Sequence, residues 1–370
     1  MIHLWAVNQS RRVPLYNLPH KEPTSMNPKS STKLFSLLLL LQTLIFACAN
    51  LPPVPPTASP PIPSVTPPPV ATSTLPPTAT PLPTETSLPG PSPTAAQIGT
   101  VPNFDHIVMV MFENKEFGSV IGNSLMPYYN QLARENTLLT QFYAVTHPSL
   151  PNYIALMGGD TFGITSDCNK CFVNAPSLPD LIEATGRTWK TYQEDMPSPC
   201  YIGDTNSYVQ KHNPFIYFDS IRNDSTRCER SVVPFTALQT DIEAGTLPNF
   251  LFIMPNLCNT SHDCPLDVAD AWLKNLLDRL IPALDGTGDS YLIVMMFEEG
   301  QGKHSCCGLP AEAGGRVPVV LYSPLVKKAF EDSTPYTHYS LLKTISQSWG
   351  LPFLAHAAED NNVLITAPWK

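Results

Sequence analysis

Positive charge is scarce in this sequence. It contains 22 Lys and Arg residues against 31 Asp and Glu residues, so the formal net charge is −9. Residues 1–96 hold five Lys or Arg and two Glu, a local charge of +3, which leaves −12 for the remainder. Proteins that bind nucleic acid need a basic surface. We therefore expect no nucleic acid partner, and an anionic substrate would need help from a metal ion or a few local basic groups.

The apolar run at residues 34–48 is too short for a membrane-spanning helix, which needs roughly 20 apolar residues. It follows a basic segment at 29–33, and this order is typical of a secretory signal peptide. Met26 is the expected start, so residues 1–25 are expected to be a mis-assigned upstream start. The run ends in LIFAC, which resembles a bacterial lipoprotein box. We predict lipidation of Cys48 and attachment to the outer side of the cell membrane, with cleavage and secretion as the alternative.

Aromatic residues are absent from residues 49–96, and Glu85 is the one charged residue there. Of the 41 prolines, 17 lie between Pro52 and Pro93. Such a segment cannot bury a core, and its composition predicts an extended, semi-rigid linker. The predicted organisation is a signal peptide at 26–48, this linker, and a folded domain at 97–370.

Eight of the nine cysteines lie in the predicted folded domain. They are Cys168, Cys171, Cys200, Cys228, Cys258, Cys264, Cys306 and Cys307. An even number in an exported protein indicates disulfides. Spacing favours a bond between Cys258 and Cys264, and elimination then favours Cys200 with Cys228.

The remaining cysteines are harder to assign. Cys168 and Cys171 form a Cys-x-x-Cys motif, and Cys306 is directly followed by Cys307. A zinc site is the alternative for the Cys-x-x-Cys motif, but the second such motif that would complete the site is lacking.

Short apolar runs alternate with amphipathic stretches in the folded domain. Runs such as 106–112 and 291–297 predict strands that are buried on both faces. Further strands are predicted at 138–145, 188–193, 250–254 and 317–322, and helices at 124–136, 149–158, 178–185, 267–284 and 338–349. The alternation predicts an α/β fold, a mostly parallel central sheet with helices on both faces. The loop-rich, cysteine-containing region 168–264 is expected to form a cap.

Ser149 is the first candidate for chemistry, within the segment THPSLPNY at 146–153. A serine hydroxyl is a weak nucleophile until a base or a metal activates it. The start of a helix offers N–H groups and a dipole that favour an anion such as phosphate. On Ser149 alone, an ordinary N-cap is the stronger explanation.

Carboxylates follow two of the predicted buried strands. Glu113 and Asn114 follow the first, and Glu298 and Glu299 follow the strand at 291–297. Ligands of α/β sheets lie at the carboxyl ends of the strands. Carboxylate and amide oxygens suit a hard cation, and two adjacent carboxylates repel each other unless a cation is bound. Taken singly, each pair is explained as well by a solvated strand end.

Basic side chains occur elsewhere in the domain. Lys211 and His212 form a possible phosphate contact, His262 lies in a polar loop between two cysteines, and His338 begins the last predicted helix. A lone histidine is more often structural than catalytic, so each carries little weight by itself.

Together these motifs resemble a known family. The segments in order are FEN at 112–114, HPSLPNY at 147–153, KHNP at 211–214, PN at 255–256, HDC at 262–264, FEEG at 297–300 and THYSLL at 337–342. In this combination the sequence resembles the bacterial phosphoesterase family that includes acid phosphatases and phospholipases C. The resemblance covers roughly residues 104–360 and implies a fold like that of the alkaline phosphatase superfamily.

The resemblance also implies roles for individual residues. Ser149 matches the nucleophile that takes up the phosphoryl group, and His212 and His262 match histidines that line the phosphate pocket. In the mechanism that we hypothesise from these roles, His262 or His212 protonates the leaving oxygen. A divalent metal ion of unknown identity would be held by Glu113, Asn114, Ser149, Glu298 and Glu299. The residues expected to contact substrate are Asn152, His147 and Lys211.

One position departs from the family pattern. The family usually has Asp where this chain has Glu298, and the extra methylene moves the carboxylate by more than an ångström, a change that matters for metal ligands. The leading hypothesis is an exported, metal-dependent phosphatase that hydrolyses phosphate monoesters through a phosphoserine. A phospholipase C acting on phospholipid head groups and a catalytically impaired binding protein are the alternatives. A membrane contact is expected through the lipid anchor only.

Overall fold

The computed structural model describes residues 100–370. The predicted signal peptide, the lipidation site at Cys48 and the proline-rich linker lie outside the described residues. Within 100–370, the helices are too short or too polar to cross a bilayer.

A mixed β-sheet forms the centre of the described domain. Its strands are β1 (His106–Phe112), β2 (Thr137–Tyr143), β3 (Trp189–Gln193), β4 (Val232–Pro234), β5 (Phe250–Met254), β6 (Tyr291–Phe297), β7 (Arg316–Tyr322), β8 (Phe330–Asp332) and β9 (Tyr336–Thr337). The order is β4-β3-β5-β1-β6-β7-β2-β8, and β9 pairs with β2. Strand β7 is antiparallel to both of its neighbours, while the other pairings are parallel. The predicted mostly parallel sheet is therefore confirmed.

Helices cover both faces of this sheet. They are α1 (Phe117–Val120), α2 (Pro127–Glu135), α3 (Ser149–Gly158), α4 (Leu178–Ala184), α5 (Asp219–Arg222), α6 (Ser225–Ser231), α7 (Thr236–Ala244), α8 (Leu266–Thr287) and α9 (His338–Ser348), with short 3₁₀ helices at Gln210–His212, Pro214–Tyr217 and Ala355–Ala358. The ring of Phe112 packs against α2 and α8. Phe252 instead packs against α3 and pairs with Met109, three residues before Phe112. Side chains alternate along a strand, so these helices lie on opposite faces.

The register of β1 and β6 determines where the site forms. The two strands are parallel and pair residue for residue from His106 opposite Tyr291 to Phe112 opposite Phe297. Both strands are buried along their whole length, as their apolar sequences predict. The N–H of Glu298 still donates to the carbonyl of Phe112 at 3.0 Å. Glu113 and Glu298 therefore leave the sheet side by side and on the same face.

Four disulfides pair the eight cysteines of the domain. The predicted bonds Cys200–Cys228 and Cys258–Cys264 are confirmed. The four cysteines that the sequence left unassigned form two local disulfides, Cys168–Cys171 and Cys306–Cys307. A zinc site at the Cys-x-x-Cys motif is therefore ruled out in this structure, because both thiols are used in the disulfide.

Candidate active site

A buried cluster of three carboxylates lies at the carboxyl ends of β1 and β6. One oxygen from each of Glu113, Glu298 and Glu299 lies within 4.8 Å of the others. All three side chains are buried, so their mutual repulsion is poorly screened by water. Burial raises the pKa of Glu298 well above its usual range, and the charges of its two acidic neighbours raise it further. Burial and Glu113 likewise raise the pKa of Glu299.

Glu113 is the exception within this cluster. Burial acts to raise its pKa, but His212, the neighbouring Glu298 carboxyl and the charge of Lys211 together outweigh burial and hold the pKa of Glu113 well below its usual range. The cluster therefore contains one firmly ionised carboxylate beside two that favour a proton or a cation.

The donor set of the cluster fits a divalent cation. Glu298 Oε2 accepts the N–H of Asn114 at 3.0 Å, but its buried Oε1 atom has no hydrogen-bond partner within the described residues. A buried carboxylate oxygen without a donor is costly, and a cation would satisfy it. The side-chain amide of Asn114 lies 3.5 Å from Glu299. The longer Glu298 side chain thus still brings its carboxylate into the cluster.

The Ser149 hydroxyl lies directly against the carboxylates. Its Oγ atom is 2.6 Å from Glu113 Oε1 and 2.9 Å from Glu299 Oε1, and the residue is 2% exposed. One hydroxyl hydrogen can serve one of these acceptors, so the second contact requires a proton on a carboxylate or a bound cation. Pro148 occupies the N-cap of α3. The explanation of Ser149 as an ordinary N-cap is therefore wrong.

The start of α3 offers fewer free amides than a typical anion-binding helix. The N–H of Leu150 donates to Asp167 Oδ1 at 3.0 Å, and Pro151 has no N–H. An anion at Ser149 would therefore depend less on this helix than the sequence suggests, and more on neighbouring cations.

His147 connects the loop before Ser149 to the acidic pair. Its Nδ1 atom contacts Glu299 Oε2, and its Nε2 atom lies 2.9 Å from the carbonyl of Gly302. Burial acts to lower the pKa of His147, but the Gly302 carbonyl and the Glu299 carboxylate outweigh it and raise this pKa. Both ring nitrogens are engaged, so His147 orients Glu299 in this structure. A direct contact of His147 with substrate stays a prediction.

The cap brings basic groups over the carboxylates. His212 Nε2 lies 2.9 Å from Glu113 Oε1, and Lys211 Nζ lies 3.9 Å from the same oxygen. Lys211 is held by Asp167, whose Oδ2 atom is 2.9 Å away. The ring of His262 is 6.4 Å from that of His212, and its Nδ1 atom contacts Asp263 at 2.6 Å. The structure therefore gathers the predicted basic residues beside the predicted acidic ones.

Asn152 points into the loop that precedes Ser149. Its side-chain oxygen accepts the N–H groups of Val145 and Thr146, and its nitrogen donates to the carbonyls of Thr146 and Pro148. These bonds shape the loop that leads to Ser149. A contact between Asn152 and substrate stays a prediction.

Sequence reasoning missed two residues of the site. The hydroxyl of Tyr153 donates to Glu113 Oε2 at 2.9 Å. Tyr153 lies four residues after Ser149 in α3, so the helical period was a signal that could have identified it. The second residue is Asp167, which connects Lys211 to the start of α3. It lies in a loop, so no periodic pattern in the sequence marks it as a site residue.

Comparisons with known proteins identify the family of this chain. Residues 123–352 match the model of the Phosphoesterase family. The chain is 37% identical over 262 residues to a phosphate-repressible acid phosphatase of Penicillium chrysogenum, covering 68% of this chain and 60% of that protein. It is 32% identical over 276 residues to a phosphatidylinositol-3-phosphatase of Mycobacterium tuberculosis, covering 73% and 84%. The chain therefore belongs to the phosphoesterase family, whose members here are fungal as well as bacterial.

The chain spans about three fifths of the length of the fungal relatives it matches. Among solved structures, a protein in the alkaline phosphatase superfamily from Vibrio parahaemolyticus matches 70% of both chains with 12% identity and a TM-score of 0.46.

Proposed function

We propose that this protein is a metal-dependent phosphatase that hydrolyses phosphate monoesters through a phosphoserine at Ser149. The observation that carries the proposal is the buried Ser149 hydroxyl, in hydrogen-bond contact with Glu113 and Glu299 of a three-carboxylate cluster. Membership of the phosphoesterase family and the acid phosphatases among the relatives support the same reaction class.

The acidic cluster would hold the metal ion. Glu113, Glu298 and Glu299 supply carboxylate oxygens, and Asn114 lies against the last two. Oxygen ligands of this kind suit several divalent cations and do not select one. When bound, the cation supplies positive charge that lowers the pKa of a serine hydroxyl and offsets charge on the phosphoryl oxygens.

The side chains of this protein would carry the proton transfers. Ser149 releases its hydrogen to a carboxylate of the cluster as Oγ forms a bond to phosphorus and the bond to the leaving oxygen breaks. His262 is the better placed acid for that oxygen, because its side chain is 35% exposed whereas His212 is buried against Glu113. Lys211 would contact a phosphoryl oxygen. Water then attacks the phosphoserine and gives its proton to His262, the bond between phosphorus and Oγ breaks, and Oγ takes back the proton from the carboxylate as phosphate leaves.

We also propose that the protein functions outside the cytoplasm. Four disulfides are expected in an oxidising compartment and are rare in the cytosol. The predicted signal peptide and the lipid anchor at Cys48 would deliver the domain there and hold it at the membrane.

Substitution of Ser149 tests the proposal directly. The full chain, exported so that its disulfides form, is assayed with a chromogenic phosphate monoester after chelation and again with single divalent metals restored. Ser149→Ala should lower metal-dependent turnover by at least about a thousandfold, because the nucleophile is lost. Ser346→Ala is the matched control, since Ser346 is a buried helical serine whose hydroxyl has no partner in the described domain. Near-normal turnover in Ser149→Ala would show that the nucleophile assignment is wrong.

A phosphorylated lipid head group is the second candidate substrate. The observation in its favour is the mycobacterial relative named phosphatidylinositol-3-phosphatase, 84% of whose length is matched. Vesicles containing phosphatidylinositol 3-phosphate, compared with a soluble monoester and a phospholipid diester, separate this candidate from the soluble monoester and from a phospholipase C.

A further inference from the structure

We propose that Glu116 is a positioning residue that fixes the acidic pair Glu298–Glu299 and, through it, Ser149. Glu116 lies three residues after Glu113 and precedes α1. The inference rests on the proposed function, because it assigns Glu116 a role in the geometry of the cluster that would hold the metal. Glu116 itself makes no contact with Ser149 or the cluster, so it is not a catalytic residue.

The Glu116 carboxylate gathers backbone amides from two separate segments. Its Oε2 atom accepts the N–H of Gln301 at 3.1 Å and of Gly302 at 3.0 Å. Its Oε1 atom accepts the N–H of Arg316 at 3.1 Å and lies 3.3 Å from His304 Nδ1. Hydrogen bonds to a charged carboxylate are stronger than those between neutral groups. One side chain thus ties the turn after β6 to the start of β7.

The turn is shaped closely around this carboxylate. A Cβ atom added at Gly302 would lie 3.1 Å from both carboxylate oxygens of Glu116, and one added at Gly315 would lie 2.7 Å from Oε2. A Cβ atom at Gly300 would collide with the same oxygen. Side chains at these three positions would displace the carboxylate or the turn. The glycines and the glutamate therefore form one packed unit directly after the acidic pair.

The unit is connected to the nucleophile by two further side chains. The carbonyl of Gly302 accepts a hydrogen bond from His147 Nε2, and His147 Nδ1 contacts Glu299. Glu299 in turn lies 2.9 Å from Ser149 Oγ. A shift of the turn would move His147 and with it the oxygens of Glu299. Residues that orient ligands in this way commonly change metal affinity or activity by about 10–100-fold when substituted.

The first test measures metal binding in the absence of substrate. Calorimetric titration of chelated full-length protein with Mn²⁺ is compared for wild type, Glu116→Gln and Glu116→Ala, below the melting temperature of every variant. We expect affinity to fall about 10–100-fold in both variants. Glu312→Gln is the matched control, because Glu312 lies on the same loop and contacts the exposed Lys303. Its affinity should equal that of wild type.

The second test asks whether the carboxylate itself is required. In Glu116→Ala the amides of Gln301, Gly302 and Arg316 lose their acceptor, and added formate can occupy the vacated position. We expect formate, but not formamide, to restore part of the Mn²⁺ affinity and of kcat, with KM changed by no more than about twofold.

Two outcomes would overturn the inference. One is wild-type Mn²⁺ affinity in both Glu116 variants, and the other is a loss that affects KM alone. Failure of the proposed function would give a different result, namely an inactive wild type or a Ser149→Ala variant that stays active. Unchanged metal binding in both Glu116 variants, in an enzyme whose wild type is active and whose Ser149→Ala variant is not, rejects the role of Glu116 and leaves the proposed function standing.

Discussion

The carboxylates of the candidate site come from the ends of β1 and β6, whereas Lys211, His212 and His262 come from the cap. Each carboxylate lies within two residues of the end of a strand that is buried and paired in register, so its position is set by the sheet. Lys211 and His212 instead come from a 3₁₀ helix, and His262 from a loop closed by Cys258–Cys264. The two sides meet at Glu113 Oε1, which contacts both Ser149 and His212. The carboxylates on the sheet side would therefore hold the metal, and the basic residues on the cap side would serve proton transfer and phosphate contact.

The largest effect should follow substitution on the sheet side. Glu113→Gln keeps the shape of the side chain but removes the one carboxylate that stays firmly ionised in the cluster. We expect kcat/KM to fall by about a thousandfold, about 4 kcal/mol, because both the binding of the metal and the contact to Ser149 are weakened. Turnover assays measure the fall in kcat/KM, and metal titration measures the loss of metal affinity. Glu331→Gln, at an exposed position of a strand, is the control. Unchanged metal affinity in Glu113→Gln would show that the sheet side does not hold the metal.

A smaller effect is expected on the cap side. His212→Asn removes the Nε2 contact to Glu113 while leaving the three carboxylates in place. We expect kcat/KM to fall about 10–100-fold, with a smaller loss of metal affinity than in Glu113→Gln. The comparison fails if His212→Asn lowers metal affinity as much as Glu113→Gln does, since the cap would then be part of the metal site.

The smallest effect on the site should follow removal of a cap disulfide. Replacing Cys258 and Cys264 together by Ser removes a short closed loop and should lower the free energy of unfolding by about 2 kcal/mol. Loss of the bond also frees the loop of His262, so kcat should fall while metal affinity is kept. Urea unfolding and metal titration of the double variant measure the two quantities. A loss of metal affinity here would show that the cap supports the acidic cluster mechanically.

The buried central elements could be predicted closely from the sequence. Strands β1, β5 and β6 and helix α3 begin and end where the apolar runs and the Pro-Ser start predict. The reason is that a strand buried on both faces leaves an unbroken apolar run with polar residues directly after it. Glu113 and Glu298 could be predicted as candidate site residues for the same reason, because each directly follows such a run.

Short and peripheral elements could not be predicted in this way. Strands β4, β8 and β9 and helices α5, α6 and α7 have between two and nine residues, too few for a hydrophobic period to stand out. The direction of β7 was also hidden, because a buried antiparallel strand and a buried parallel strand have the same apolar sequence. The ends of α2 and α8 differ from the predicted ones by one to three residues, as expected where the last turns fray.

The sequence by itself determined the class of fold, the central strands, the acidic residues at their ends and the family. These properties follow from local periodicity and from motifs that are contiguous in the chain. The tertiary structure alone decided that His212 meets Glu113, that Asn152 supports a loop, and that Glu116 and Tyr153 belong to the surroundings of the site. The contact between His212 and Glu113 joins residues 99 positions apart, and no periodicity encodes such a pairing. It exists because the sheet register and the stapled cap place those side chains together in space.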